Sequence, residues 1–391
     1  MTDTAPRWRA PLGVLAAAFL FNLGQGVLRP AMPLYLQQVF AARYAMVTLI
    51  PVVFGAGKWV ASLPTGYLME RLGRRPLMAG GLVVIALADM ASIMVARFAV
   101  FLALRAVAGL GWAMFATAAT TTIVDGPAAS RRARAVSVLM MSETLGLLTG
   151  TAAGGWLYQD LGTASPFTFE AACMLVAALT VTRWTSPSEA APVSPAITSG
   201  RAALRTVVGS PGVLLMGVAS AALVAIQTGL IVFLVPLYLA NRGHLAPGAV
   251  GIVVSLGVAG RLAALWLGGG VSDRAGRLRV LVPGLLAYAA LLGGLTLLTE
   301  PIALAAWSLA AGGVAGLVAP LPTALVADGV PSALRGVAIG WLRTLGDVGQ
   351  VLGPLSTGAL ADAAGLPSAF MAGAALLGVV AWRCGRQAGA P

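Results

Sequence analysis

Apolar stretches, each broken by a short polar or glycine- and proline-bearing step, follow one another along almost the whole chain. A bilayer core about 30 Å thick takes roughly 20 helical residues to cross. On that length scale the pattern predicts twelve membrane spans. Six cover residues 12–37, 45–69, 76–96, 98–124, 135–157 and 166–184; six more cover 211–239, 247–271, 280–298, 301–327, 336–360 and 367–382. Prolines open several of them, where the absent N–H has no helical partner to lose. Arg7 and Arg9 ahead of the first apolar run resemble a signal peptide, but that run is too long and no small-residue cleavage pattern follows. It reads as a retained span. The long polar stretch over 185–210, with Pro187, Pro192 and Pro195, reads as a flexible cytoplasmic linker. It separates a first six-helix bundle (1–184) from a second (211–391).

Composition agrees with this reading: 59% of the residues are hydrophobic and 10% charged, against roughly 25% charged in soluble domains. The expected fold is therefore an all-α membrane protein. A net charge of +12 invites a nucleic-acid partner, but the basic residues form short clusters between apolar runs rather than one solvated face. With the N-terminus placed in the cytoplasm, seventeen basic residues fall on that side and three (Arg43, Arg97 and Arg242) on the other. The positive-inside rule then sets both termini in the cytoplasm, in a multi-pass inner-membrane protein. Lys58 is the single lysine, an Arg-, Ala- and Gly-rich bias that points to a bacterial genome. Cys173, Cys384 and His244 give no disulfide framework, no metal-ligand spacing and no His-based catalytic set. Neither a metal nor an organic cofactor is expected, nor an enzyme; the expected partners are membrane lipids and a small molecule, with the chain a monomer.

The two bundles repeat one another. Pro33 to Leu36 recurs as Pro236 to Leu239, Gly57-Lys58 as Gly260-Arg261, Asp125 as Asp328 and Gly150 as Gly353, always 203 residues apart. Six spans per repeat insert both halves in the same direction, with a substrate site expected at the midplane. Within the repeat, Gly66-Tyr67-Leu68-Met69-Glu70-Arg71-Leu72-Gly73-Arg74-Arg75 resembles the G-x-L-a-D-r-x-G-R-r signature of major facilitator superfamily transporters, with Glu70 in place of aspartate. Its second copy, from Gly269 through Asp273, Arg274, Gly276 and Arg277, keeps the aspartate. The resemblance implies that this loop latches the halves in one conformation. It covers essentially the whole chain and implies a secondary transporter working by alternating access, most like the 12-helix drug:proton antiporters. Gly146, Gly150, Thr151, Gly154 and Gly155 resemble that group's G-x-x-x-G-P-x-x-G-G pattern, with Thr151 in place of proline; Gly349, Gly353 and Pro354 form a partial second copy. Glycines four apart also make a flat face for close helix packing. Arg105 and Gly109 resemble the R-x-x-x-G motif, whose arginine is linked in the family to proton coupling.

Ionisable groups inside a membrane need a partner or a cavity. The spans carry Arg29, Lys58, Arg105, Arg261 and Arg343 against Asp89, Glu143 and Asp347. Equal depth pairs Asp89 with Arg105. The repeat suggests two ion pairs between halves, Lys58 with Asp347 and Arg261 with Glu143, either acid able to take up a proton. Arg343, one turn from Asp347, is a competing partner. Glu143 shares a helical face with Gly146, Gly150 and Gly154, the face expected to meet span eight. Asn22, Gln25 and Arg29 share one face of span one and suit a cavity lining, joined by Trp112, Gln227 and Trp341 as substrate contacts. Five bases against three acids favour an anionic, zwitterionic or lipophilic substrate. Two functions remain open: proton-driven export of small amphipathic compounds, or transport of an organic anion, zwitterion or lipid by uniport or symport.

Overall fold

The computed structural model describes residues 9–125, 132–185, 207–331 and 334–388. The predicted linker falls almost entirely outside the described residues. Twelve long helices form among the rest: α1 (Arg9–Phe40), α2 (Tyr44–Leu72), α3 (Arg74–Ser92), α4 (Phe98–Asp125), α5 (Arg132–Leu161) and α6 (Ser165–Trp184). They continue with α7 (Pro211–Asn241), α8 (Pro247–Ala275), α9 (Arg277–Leu295), α10 (Pro301–Gly329), α11 (Arg335–Ala364) and α12 (Leu366–Ala388). Eleven are long and apolar enough to cross a membrane; the twelfth is α11, whose middle turns carry Arg343, Asp347 and Gln350. Prolines stand in the first turn of α6, α7, α8 and α10, as expected. Helix α3 ends four residues before its expected limit, and a turn leads to Phe98. Helix α7 changes to π-helical turns over Ile226–Leu234, which the sequence pattern does not announce.

The repeat is written into the backbone. Every described residue at positive φ belongs to a pair 203 positions apart: Ala41 (48°) with His244 (49°), Gly73 (83°) with Gly276 (91°), and Gly162 (91°) with Gly365 (86°). Gly73 and Gly276 close α2 and α8 at positive φ with extended ψ (166° and 126°), a region essentially reserved for glycine that costs an L side chain about 1–3 kcal/mol. The chain folds as two compact units. The first comprises Met1–Phe40, Val53–Ser194 and Pro247–Ile252; the second comprises Ala41–Val52, Pro195–Ala246 and Val253–Pro391. In the first unit α1 packs on α5 and α6, and α3 on α4 and α6. In the second unit α7 packs on α11 and α12, and α9 on α10 and α12, the same arrangement displaced by the repeat.

Small residues allow these approaches. A Cβ on Gly146, Gly150 or Gly154 would strike the backbone of α1 at Phe19, Leu23 and Val27. One on Gly349 or Gly353 would strike α7 at Ala221 and Ala225. The glycine face of α5 thus meets α1, which corrects the expectation that it meets span eight. Gly155, one residue further round the helix, is the position that touches Pro247 and Gly248 at the start of α8. The first turns of α2 and α8 are capped by repeat mates. Asp362 accepts from the backbone N–H of Tyr44 (2.8 Å) and Ala45 (3.1 Å), and Gln159 Oε1 accepts from that of Gly248 (3.1 Å). A carboxylate on a helix N-terminus satisfies otherwise orphan donors and stabilises by about 0.5–2 kcal/mol.

Candidate functional site

Three helices of the first unit each bring one ionisable side chain to the same end of the bundle. Asp89 lies one turn before the end of α3, Arg105 two turns into α4, and Glu170 one turn into α6. The two acids are 0% exposed and Arg105 is 3% exposed. Arg105 Nη2 sits 2.7 Å from Asp89 Oδ1 and donates to Ser92 Oγ at 2.7 Å. From α1, Gln25 Nε2 donates to Glu170 Oε1 at 2.5 Å. The rings of Phe101 and Phe167 flank the guanidinium at 5.4 and 5.6 Å, and Gly24 leaves room for the Glu170 side chain. Asp89 and Glu170 face one another within hydrogen-bonding reach. Among the described residues, Tyr35 and Cys173 are further titratable groups within electrostatic reach of the cluster.

Two buried carboxylates surround one guanidinium, and Glu170 Oε2 and Asp89 Oδ2 accept no hydrogen bond. Two contacting acids cannot both ionise without a second cation, and a buried net charge costs several kcal/mol. One proton between the two carboxyls removes the surplus charge and supplies the missing donor.

Glu170 is missing from the intramembrane charges read from sequence. With it the spans carry four acids, not three, against five bases, so the overall basic excess is smaller than expected. A signal was present: Phe167, Glu170, Met174, Ala177 and Val181 follow helical spacing along the buried face of α6. The acid stands within the apolar stripe rather than opposite it.

The second unit holds a cavity of about 120 Å³. Ser220, Leu223, Val224, Gln227 and Thr228 of α7 line it, with Arg261 of α8, Tyr288 of α9, and Ala315 and Ala319 of α10. Gln227 and Thr228 belong to the π-helical turns. Among the other predicted contacts, Asn22 donates to Ala18 O at 3.0 Å, and Arg29 is half-buried. Lys58 Nζ lies 3.9 Å over the Trp112 ring. The Trp341 indole N–H is buried without an acceptor. Glu143 is half-buried on α5, while Arg343 and Asp347 are both exposed on α11. The two ion pairs expected between halves would join residues of different units.

Of the latch residues, Arg277 Nη1 pairs with Asp328 Oδ2 at 2.9 Å, and the Arg71 guanidinium lies 4.6 Å from the Tyr67 ring. Arg274 is exposed, and Gly66 has open space about it. The side chains of Glu70 and Asp273 lie outside the described residues.

The sequence profile described as Major Facilitator Superfamily matches residues 14–244 and again 217–386. The chain belongs to the major facilitator superfamily. This transporter is 26% identical over 386 residues to multidrug resistance protein MdtG of Citrobacter koseri, covering 94% of this chain and 92% of that one. It is 25% identical over 167 residues to multidrug resistance protein 2 of Bacillus subtilis, a match spanning 43% of this chain and 41% of that relative. Its fold superposes on the nucleoside transporter NupG with a TM-score of 0.81 at 13% identity, covering 97% of this chain and 99% of that one. At that identity the likeness is one of fold. The protein is thus a multi-pass membrane transporter of the superfamily, similar to its drug:proton antiporters.

Proposed function

We propose that the transporter exports small amphipathic compounds from the cytoplasm across the inner membrane, driven by protons moving the other way. The observation that carries this reading is the buried cluster of Asp89, Arg105 and Glu170, two acids on one base with two acid oxygens lacking a donor. Glu170 is the proton carrier, Asp89 the residue it shares the proton with, and Arg105 the counter-charge to the one carboxylate that remains ionised. Gln25 links the cluster to α1, the helix that packs along α5. A change in α1 therefore alters the hydrogen bonding of Glu170 directly. The similarity to two multidrug resistance proteins supports the substrate class. The positive-inside count supports cytoplasmic termini.

Transport into proteoliposomes under an imposed pH gradient tests the proposal, with lipophilic cations and amphipathic anions as probes. The wild type is expected to accumulate at least one probe against its gradient, and Glu170→Gln is expected to lose gradient-driven uptake while keeping downhill exchange. Uptake by Glu170→Gln equal to wild type would sink the assignment. Loss of coupling in Glu143→Gln or Asp347→Asn alone would move the proton site to that acid.

A further inference from the structure

The wall of the second unit's cavity has bulkier equivalents in the first unit. Lys58 and Arg261 are repeat mates, 203 residues apart. In the first unit the Trp112 ring covers Lys58 at 3.9 Å, and Phe21 packs beside Trp112 with ring centroids 6.4 Å apart. The mates of Trp112 and Phe21 are Ala315 and Val224. Both line the cavity of about 120 Å³ that Arg261 borders. An indole and a phenyl ring have become a methyl and an isopropyl group, and the lost volume lies beside a guanidinium.

We propose that this space binds the anionic group of an amphipathic substrate, with Arg261 as its counter-ion and Gln227 and Tyr288 as further donors. The inference rests on the export reading above and names the part of the substrate that the second unit recognises. Its first support is charge. An arginine in the middle of a span needs a neutralising partner, and no carboxylate lies among the residues lining the cavity. Geometry is the second. A guanidinium offers forked donors that match carboxylate, sulfonate or phosphate oxygens in pairs, and the Gln227 amide and Tyr288 hydroxyl beside it can donate as well, whereas the Thr228 hydroxyl already donates to Val224 O. The third is backbone: Gln227 and Thr228 reach the wall from π-helical turns, an irregularity concentrated at functional sites. Size then limits the occupant. Drug-sized ligands need cavities of roughly 300–1,000 Å³, so this one takes a headgroup and a few carbons, and the rest of the molecule extends beyond it.

Equilibrium binding of radiolabelled octanoate to the whole protein in phosphatidylcholine nanodiscs tests this, with octylammonium as the charge-inverted control. The wild type is expected to bind octanoate saturably and to discriminate against octylammonium. Arg261→Gln should weaken octanoate binding by at least about tenfold, the loss of a charge-assisted pair, whereas Arg261→Lys retains part of it. Ala315→Trp refills the space as in the first unit and should abolish binding with the charge still present. Thermal unfolding of each variant establishes that it is folded. Octanoate binding unchanged in folded Arg261→Gln and Ala315→Trp, or matched by octylammonium, would overturn the proposal. Octanoate binding lost in nanodiscs containing phosphatidylglycerol would also overturn it, in favour of a lipid-headgroup site. No pH gradient enters this assay. A failure of the proton-coupling reading would therefore not be mistaken for a failure of this one.

Discussion

Replacing Arg105 by methionine is expected to destabilise the first unit by about 3–5 kcal/mol, the usual result of removing one partner of a buried ion pair. Asp89 and Glu170 are wholly buried, and among the described residues no cation other than Arg105 acts on Asp89. Without Arg105 both must be protonated or one must remain as an uncompensated charge. The repeat offers a rescue. The second unit carries Leu292 and Ser308 at the positions equivalent to Asp89 and Arg105, both buried, so the same helix packing tolerates an uncharged solution. The double variant Asp89→Leu with Arg105→Ser should recover most of the lost stability, because well-packed apolar groups often replace a buried pair at little cost. Thermal unfolding in detergent, followed by tryptophan fluorescence, reads both effects. An Arg105→Met protein that melts with the wild type would show that the pair carries no stability. A double variant no better than the single would show that the cluster is required for packing as well as for charge.

Gly150→Leu is expected to prevent assembly of the first unit, and Gly353→Leu that of the second. At Gly150 even a Cβ would strike the backbone of α1 at Leu23 and Gly26, and at Gly353 it would strike Ala225 of α7. The neighbours are main-chain atoms in helices, so no side chain can rotate away. Forcing extra methylenes into packed space costs roughly 1–3 kcal/mol when the surroundings can adjust, and here whole helices would have to part. Gly378→Leu provides the control, since nothing lies within 4 Å of a Cβ placed there. The yield of monodisperse protein on size-exclusion chromatography distinguishes them: near zero for the first two and near wild type for the third. Comparable yields for all three would mean that the glycine faces are not the packing surfaces.

The architecture was legible because lipid imposes a simple rule. Each crossing needs an apolar helix of fixed minimum length, so span number and the repeat followed from run lengths and matched motifs. The 203-residue offset even anticipates backbone geometry, since Ala41 and His244 share an unusual φ with no sequence identity between them. Partners were harder to read. The face of α5 that meets α1 differs by a single residue from the one that meets α8, and helical periodicity alone does not say which neighbour a glycine ridge will find. Depth did bring Asp89 and Arg105 together, but an acid one turn inside a predicted span end, Glu170, reads as an interfacial residue until its buried face is traced. The cavity beside Arg261 depends on what is absent from the wall. It becomes visible once Ala315 and Val224 are set against Trp112 and Phe21 at a known depth.

Infrared difference spectroscopy of the purified transporter addresses the central claim, that one proton resides on the Glu170 and Asp89 pair, without requiring a known substrate. At neutral pH the wild type should show the C=O stretching band of a protonated carboxyl, shifted on deuteration. That band should persist in Glu143→Gln and Asp347→Asn and vanish in Glu170→Gln. A wild type with no such band, or a band that survives Glu170→Gln, would contradict the account.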